Sequence, residues 1–210
     1  MGGAETGAHA TGRQADARLR SPDRCLLVFL FPNESRVIQS MTYNQLHIRD
    51  ARADERPAIR ALTLAAYAEF ATIMTPSAWD GLRQALLSGL EAEGAVERII
   101  AEQDGALIGS VMLYSPDANA YGDALAGAGW PELRLLAVAP AARGQGVGRA
   151  LVEECMRRAR RAGATALGLH TSESLKAAIR MYERMGFVRA PEGDFQPSGA
   201  ELVMAYRRPL

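Results

Sequence analysis

The chain has 210 residues, 48% of them hydrophobic and 6% aromatic, which suits one large domain with an Ala/Leu/Val core. Its 24 Lys and Arg balance its 24 Asp and Glu, so no overall field draws it to nucleic acid or to an anionic membrane. Two cysteines, Cys25 and Cys155, and three histidines, His9, His47 and His170, are too few and too scattered for a disulfide framework or a zinc spacing, so no metal is expected.

Residues 1–40 carry no sustained helical or strand period and are rich in Gly, Ala and Arg, the composition of a disordered N-terminal extension. Their longest apolar run, Cys25 to Phe31, is far short of the roughly 20 residues that span a bilayer, and no small-x-small cleavage site follows it. A cytoplasmic protein is the expectation. The domain proper is placed at 41–210. Gln45 to Arg49 alternates as a short strand, and Asp54 is the expected cap of a helix with Ile59, Leu62, Ala66 and Phe70 along one face. Ser77 to Leu90 is a second helix, weaker in pattern. Strands at 95–102 and 106–114 flank Asp104-Gly105, which suits a tight hairpin because both positions tolerate positive φ.

A Gly/Ala loop over 116–131 precedes an apolar strand, Leu133 to Ala139, and loops of that length usually shape a site. Then come a helix over 146–162 with Val147, Leu151, Cys155 and Ala159 on one stripe, a left-handed cap at Gly163, and a strand over 166–170. A helix over 174–185 stops at Gly186. Strands at 187–189 and 201–206 close the chain, and the order β-α-α-β-β-β-α-β-α-β-β describes a mixed sheet with packed helices.

Between strand 133–139 and its helix lies Ala139-Pro-Ala-Ala-Arg143-Gly144-Gln145-Gly146-Val147-Gly148-Arg149. Three glycines strip side chains from a turn entering a helix, which leaves backbone N–H groups beside the positive end of the helix dipole and favours phosphate. The dinucleotide fingerprint needs glycine where Arg149 stands, and no Gly-Lys-Ser/Thr tripeptide exists for a Walker loop. Both nucleotide readings fail.

The turn resembles motif A of the GNAT superfamily of acetyltransferases: Arg or Gln, two residues of any kind, Gly, any residue, then Gly or Ala. Arg143, Gly146 and Gly148 satisfy it. The preceding strand is similar to that family's fourth, and Ala178 to Phe187, with Tyr182 four residues before Gly186, is similar to its motif B. The likeness runs from Leu46 to Arg207. It implies a mixed α/β fold with a six- to seven-stranded sheet, helices on both faces and a splay between strands 4 and 5. It implies acetyl-coenzyme A lying in that splay. Leu136 and Val138 would face its pantetheine, and the backbone of Arg143, Gly144, Gln145, Gly146, Val147 and Gly148 its pyrophosphate, with charge from the Arg143 guanidinium. Many relatives carry a cofactor-binding Asn seven residues before the tyrosine. Leu175 stands there, so Thr171 or Ser172 would have to supply that contact.

The implied activity is N-acetyl transfer to a primary amine by direct attack in a ternary complex. Direct transfer needs a proton acceptor for the amine and a proton donor for the departing thiolate. The resemblance places Tyr182 as the donor. Glu132 is the first candidate for the acceptor, with His170 and Asp194 left open. Cys155 on its apolar stripe is no nucleophile, and Ser172 and Ser174 suit helix caps. Tyr67, Phe70, Tyr121, Trp130 and the 191–199 loop are the expected acceptor walls. Whether the amine belongs to a small molecule, a protein N-terminus or a lysine stays open, as do a homodimer and a non-catalytic acyl-coenzyme A sensor.

Overall fold

Asp104 and Gly105 both take positive φ, 52° and 76°, so two residues suffice to turn β2 (Val96–Gln103) into β3 (Ala106–Tyr114). The structure, a computed structural model, describes residues 45–118, 129–197 and 201–210. Within them β1 (His47–Asp50), β2, β3, β4 (Glu132–Val138), β5 (Ala166–Ser172), β6 (Val188–Arg189) and β7 (Val203–Pro209) form one seven-stranded sheet in the order β1-β2-β3-β4-β5-β7-β6. Every neighbouring pair is antiparallel except β4 and β5. The expected extension over 1–40 and Tyr121 lie outside the described residues. No described helix is long and apolar enough to cross a membrane.

Helices cover both faces. On one, α3 (Val147–Arg161) sets Val147, Leu151, Cys155 and Ala159 against Leu133, Leu167 and Leu169 of the sheet, and α4 (Lys176–Arg184) adds Tyr182. On the other, α1 (Arg56–Tyr67) and α2 (Pro76–Leu90) bury Ile59 and Leu90 against Ile100, Met112 and Tyr114. Gly109 of β3 sets how near α3 can come. A Cβ there would stand 2.9 Å from Val147 Cγ1 and 3.0 Å from Leu151 Cδ1, so the missing side chain is what seats the first turn of α3 on the sheet.

The β4–β5 pair is short. Only Glu132↔Gly168 and Leu133↔Leu169 are in register, after which the strands part. The cause is visible in β4, where Leu135 adopts φ 52° and the register to β3 slips between Ser110 and Met112, a bulge that puts one extra residue into β4. Regular alternation would send Leu133 and Leu135 to the same face. Instead Leu133 joins the α3 core and Leu135 the α1/α2 core. Its side chain sits where a Cβ on Gly89 of α2 would be only 2.9 Å away.

Three local expectations are corrected. Asp54 does not cap α1: it lies in a 3-10 turn, Ala53–Glu55, and Glu55 Oε2 accepts the Arg52 backbone N–H at 2.7 Å. A carboxylate one residue later reaches back better than Asp54, whose side chain is solvated beside Arg52. Ser172 ends β5 rather than capping a helix, and Ser174 donates to both carboxylate oxygens of Glu201, at 2.7 and 2.8 Å. The last strand runs to Pro209 because β5 pairs with it along its full length, Ala166↔Pro209 to Ser172↔Val203.

Gly109→Val should cost about 1–3 kcal/mol through overpacking, while Gly81→Ala, open on the surface of α2, should hold or raise stability by about 0.5 kcal/mol. Thermal unfolding of both variants checks the contrast. Equal melting temperatures would count against the close approach.

Candidate active site

Where β4 and β5 part, the sheet opens a cleft of about 1070 Å³. Leu136 and Val138 line it from β4, Arg143, Gly144, Gly146, Val147 and Gly148 from the turn, Tyr182 from α4, and Tyr67 and Phe70 from the end of α1. Gly144 and Gly146 take φ of 76° and 83°, which only glycine adopts without strain, and a side chain on either would meet no atom within 4 Å. Gly146 is the N-cap of the 15-residue α3, with no side chain bonded to the first-turn N–H groups. Those donors and the positive end of the helix dipole face open space at the edge of the cleft. Gln145 turns away, its amide donating to Ala141 O at 3.1 Å.

The Arg143 guanidinium, which lines the cleft, is held from the side of α1. Nη1 donates to both carboxylate oxygens of Glu69 at 2.8 Å, and Nη2 to Ala66 O at 2.7 Å. Glu69 was not singled out from the sequence. It lies 74 residues away on an exposed turn, with no local pattern to mark it. The pair straps the end of α1 to the glycine turn.

Tyr182 is buried against Phe187, ring centroids 5.7 Å apart. Burial pushes its phenol well above the ordinary tyrosine range, so the hydroxyl keeps its proton at neutral pH. Among the described residues no hydrogen-bond partner holds that hydroxyl, and the residue lines the cleft. Tyr67, pushed up to about 12 by burial, donates to Leu136 O at 3.2 Å and so pins the backbone just past the bulge. Cys155 is fully buried, and desolvation drives its thiol far above the ordinary range. Thr171, near the end of β5, lines the cleft with a buried Oγ1 that has no partner among the described residues.

The acid–base candidates converge beside a second, smaller cavity of about 80 Å³. His170 Nδ1 lies 3.0 Å from Glu132 Oε1, and its Nε2 lies 3.0 Å from Gly193 O. Arg134 Nε stands 3.9 Å from the same Glu132 oxygen. Trp130 walls this cavity, not the large cleft. Its indole fits only because position 168 is glycine: a Cβ there would be 2.7 Å from Trp130 Nε1. The Arg207 guanidinium stacks on the indole at 5.2 Å. Asp194 is committed elsewhere. Both its oxygens bond Arg189, at 2.8 and 2.7 Å, and Oδ1 also accepts the Ala205 N–H at 2.8 Å, which holds its carboxyl below the usual range. It is a tie within the β6–β7 connection. Among the described residues no group of three or more His, Cys, Asp and Glu could hold a metal ion.

A family model described as "Acetyltransferase (GNAT) family" matches residues 60–187. The IAA acetyltransferase of Azospirillum brasilense is 30% identical over 114 residues, 54% of this chain and 69% of that protein. Among solved structures, the ribosomal-protein-S18-alanine N-acetyltransferase of Escherichia coli aligns with a TM-score of 0.56 at 21% identity, over 79% of this chain and 94% of that one. The PaiA N-acetyltransferase of Thermoplasma acidophilum, solved in complex with coenzyme A, aligns at 0.57 and 15% identity, over 79% and 99%. These structural likenesses carry the fold. With well over half of the chain inside the family model, and with the glycine turn and the parted strands within the match, this protein belongs to the GNAT family of acetyltransferases.

Proposed function

We propose that the protein transfers the acetyl group of acetyl-coenzyme A to a primary amine by direct attack in a ternary complex. The observation that carries this reading is the uncapped glycine turn at α3 opening onto the same cleft as Tyr182, with two glycines whose missing side chains leave room for a ligand. The residues fit the group. Backbone N–H groups from Arg143 to Gly148 would hold the pyrophosphate, and β4 beyond Leu133, no longer paired to β5, has backbone groups for the pantetheine along Leu136 and Val138. Acetyl-coenzyme A supplies an acyl group already activated as a thioester.

Tyr182 Oη is the proton donor, kept protonated by its burial. Glu132 is the proton acceptor for the amine, directly or through water. Tyr67 and Phe70, whose rings lie 5.8 Å apart, wall the cleft on the acceptor side, while the β6–β7 connection walls the smaller cavity beside Glu132. The experiment is thiol release from acetyl-coenzyme A with a panel holding a diamine, an arylethylamine, a free amino acid, an aminoglycoside and a peptide with a free N-terminus. Turnover of one class supports transfer and sorts small amines from protein acceptors. Tight cofactor binding with no thiol release from any of them would point to an acyl-coenzyme A sensor.

Gly146→Asp should weaken acetyl-coenzyme A binding severely, by more than about tenfold, because it adds a charged side chain in the open space and strains a left-handed backbone. Arg143→Ala should weaken acetyl-coenzyme A binding by about 1.5–3 kcal/mol, because it removes the cation beside the turn and the charge-assisted contact it would make to the pyrophosphate. Calorimetry with unchanged affinity in both variants would refute the assignment. Tyr182→Phe should keep cofactor affinity within a few-fold and lower kcat by roughly 10²-fold. An unchanged kcat would make the tyrosine a packing residue. Glu132→Gln should lose most rate where the amine is largely protonated, and progressively less as rising pH supplies free amine. Parallel pH-rate profiles for variant and wild type would remove Glu132 as the acceptor.

A further inference from the structure

We infer that His170 is the positioning residue for Glu132: clasped between the Glu132 carboxylate and the Gly193 carbonyl, its ring fixes the orientation in which that carboxylate meets the acceptor amine. The inference rests on the reading of Glu132 as proton acceptor. Its geometric basis is independent of the cofactor.

On β5, Leu167 and Leu169 face the α3 core, while Gly168 and His170 point to the other side of the sheet. Gly168 stands opposite Glu132 in the parallel register, so the imidazole, one pleat further along, reaches diagonally to the carboxylate. Its two nitrogens have different partners. Gly193 O can only accept, so Nε2 carries a proton. Nδ1 meets the Glu132 carboxylate on the opposite side of the ring, and both contacts stand at 3.0 Å.

Packing restricts this ring. The Phe195 ring lies 5.5 Å from it, and the side chains of His170 and Glu132 are only 10% and 15% exposed. Among the described residues, His170 alone lines both the large cleft and the small cavity that contains Glu132. It therefore stands between the cleft that holds Tyr182 and the cavity that holds Glu132. The β6–β7 connection is anchored to it through Gly193, while Asp194 next in sequence is tied to Arg189 and Ala205. The imidazole thus joins the start of β4, the end of β5 and that connection at one point.

The test separates the two ring contacts. The amide nitrogen of Asn is attached as His Nδ1 is, so His170→Asn can still donate to Glu132; the longer Gln places its nitrogen near Nε2, so His170→Gln keeps only the Gly193 contact. Steady-state kinetics on the full chain, with acetyl-coenzyme A and the fastest amine of the panel above, would compare these variants with Glu132→Gln and with Glu132→Gln/His170→Gln. Positioning predicts that His170→Gln lowers kcat by about tenfold, a part of the 10²–10⁴ a placed base contributes, with KM for acetyl-coenzyme A unchanged. His170→Asn should stay within about threefold of wild type, and the double variant should be no slower than Glu132→Gln alone. Equal losses in Asn and Gln variants, or losses that multiply in the double variant, would overturn the inference and leave the ring a structural tie. A slow Glu132→Gln beside a full-rate His170→Gln would also overturn it while sparing Glu132. A full-rate Glu132→Gln would instead remove the base reading itself. Should His170→Gln melt below the assay temperature, a kcat for His170→Asn more than about threefold below wild type would by itself overturn the inference, and His170→Ala, which lacks both contacts, should then show the tenfold loss.

Discussion

Two residue pairs join β4 to β5, and everything the protein offers a ligand follows from how soon that pairing ends. A parallel seam held along its full length would satisfy the backbone groups of both strands and leave no cleft. The bulge at Leu135 prevents this. One residue at positive φ turns the rest of β4 out of line with β5, and two contacts maintain it: the Leu135 side chain seated against Gly89, and the Tyr67 hydroxyl on Leu136 O. A left-handed leucine is strained by roughly 1–3 kcal/mol, and such strain persists only where packing on both sides enforces it. Here that packing comes from α1 and α2, so the helices on one face of the sheet hold open a cleft whose glycine turn belongs to the helix on the other.

Charge is distributed to match. The chain as a whole is neutral, and the carboxylates nearest the site each have a side-chain partner: Glu69 the Arg143 guanidinium, Glu132 the His170 ring, Asp194 the Arg189 guanidinium. Arg149, Lys176, Arg180 and Arg184 also line the cleft, and the N-terminus of α3 adds a partial positive charge that arises from backbone. An anion arriving there meets a field that needs no side chain to reorganise. The arginines serve structure as much as binding, stacking on Tyr114, Trp130 and Tyr206 around the smaller cavity.

Most of the fold was legible in the sequence because its signals are local. The Asp104-Gly105 hairpin, the apolar stripe of α3, and the glycines that end α3 and α4 each act within a few residues. The structure places them where the pattern did. The errors were also local, at caps, where a short polar side chain has several partners within reach: Glu55 rather than Asp54 bonds the turn before α1, through the Arg52 N–H, and Glu201 accepts from Ser174 in place of its helix. The glycine turn and Tyr182 were visible as a motif, and both line one cleft.

The amino-acid sequence by itself determined the element order, the mixed sheet and the phosphate-type turn, since periodicity and glycine spacing constrain backbone over a single turn or strand. Tertiary structure decided which side chains are partners. Arg143 and Glu69 are 74 residues apart and Glu132 and His170 are 38 apart, and no local rule links them. A bulge likewise leaves no mark in an apolar run such as ELRLLAV, because any of its residues could take the extra position. Leu135 takes it because Gly89 on another element makes room, and packing across the sheet is information that exists only once the chain has folded.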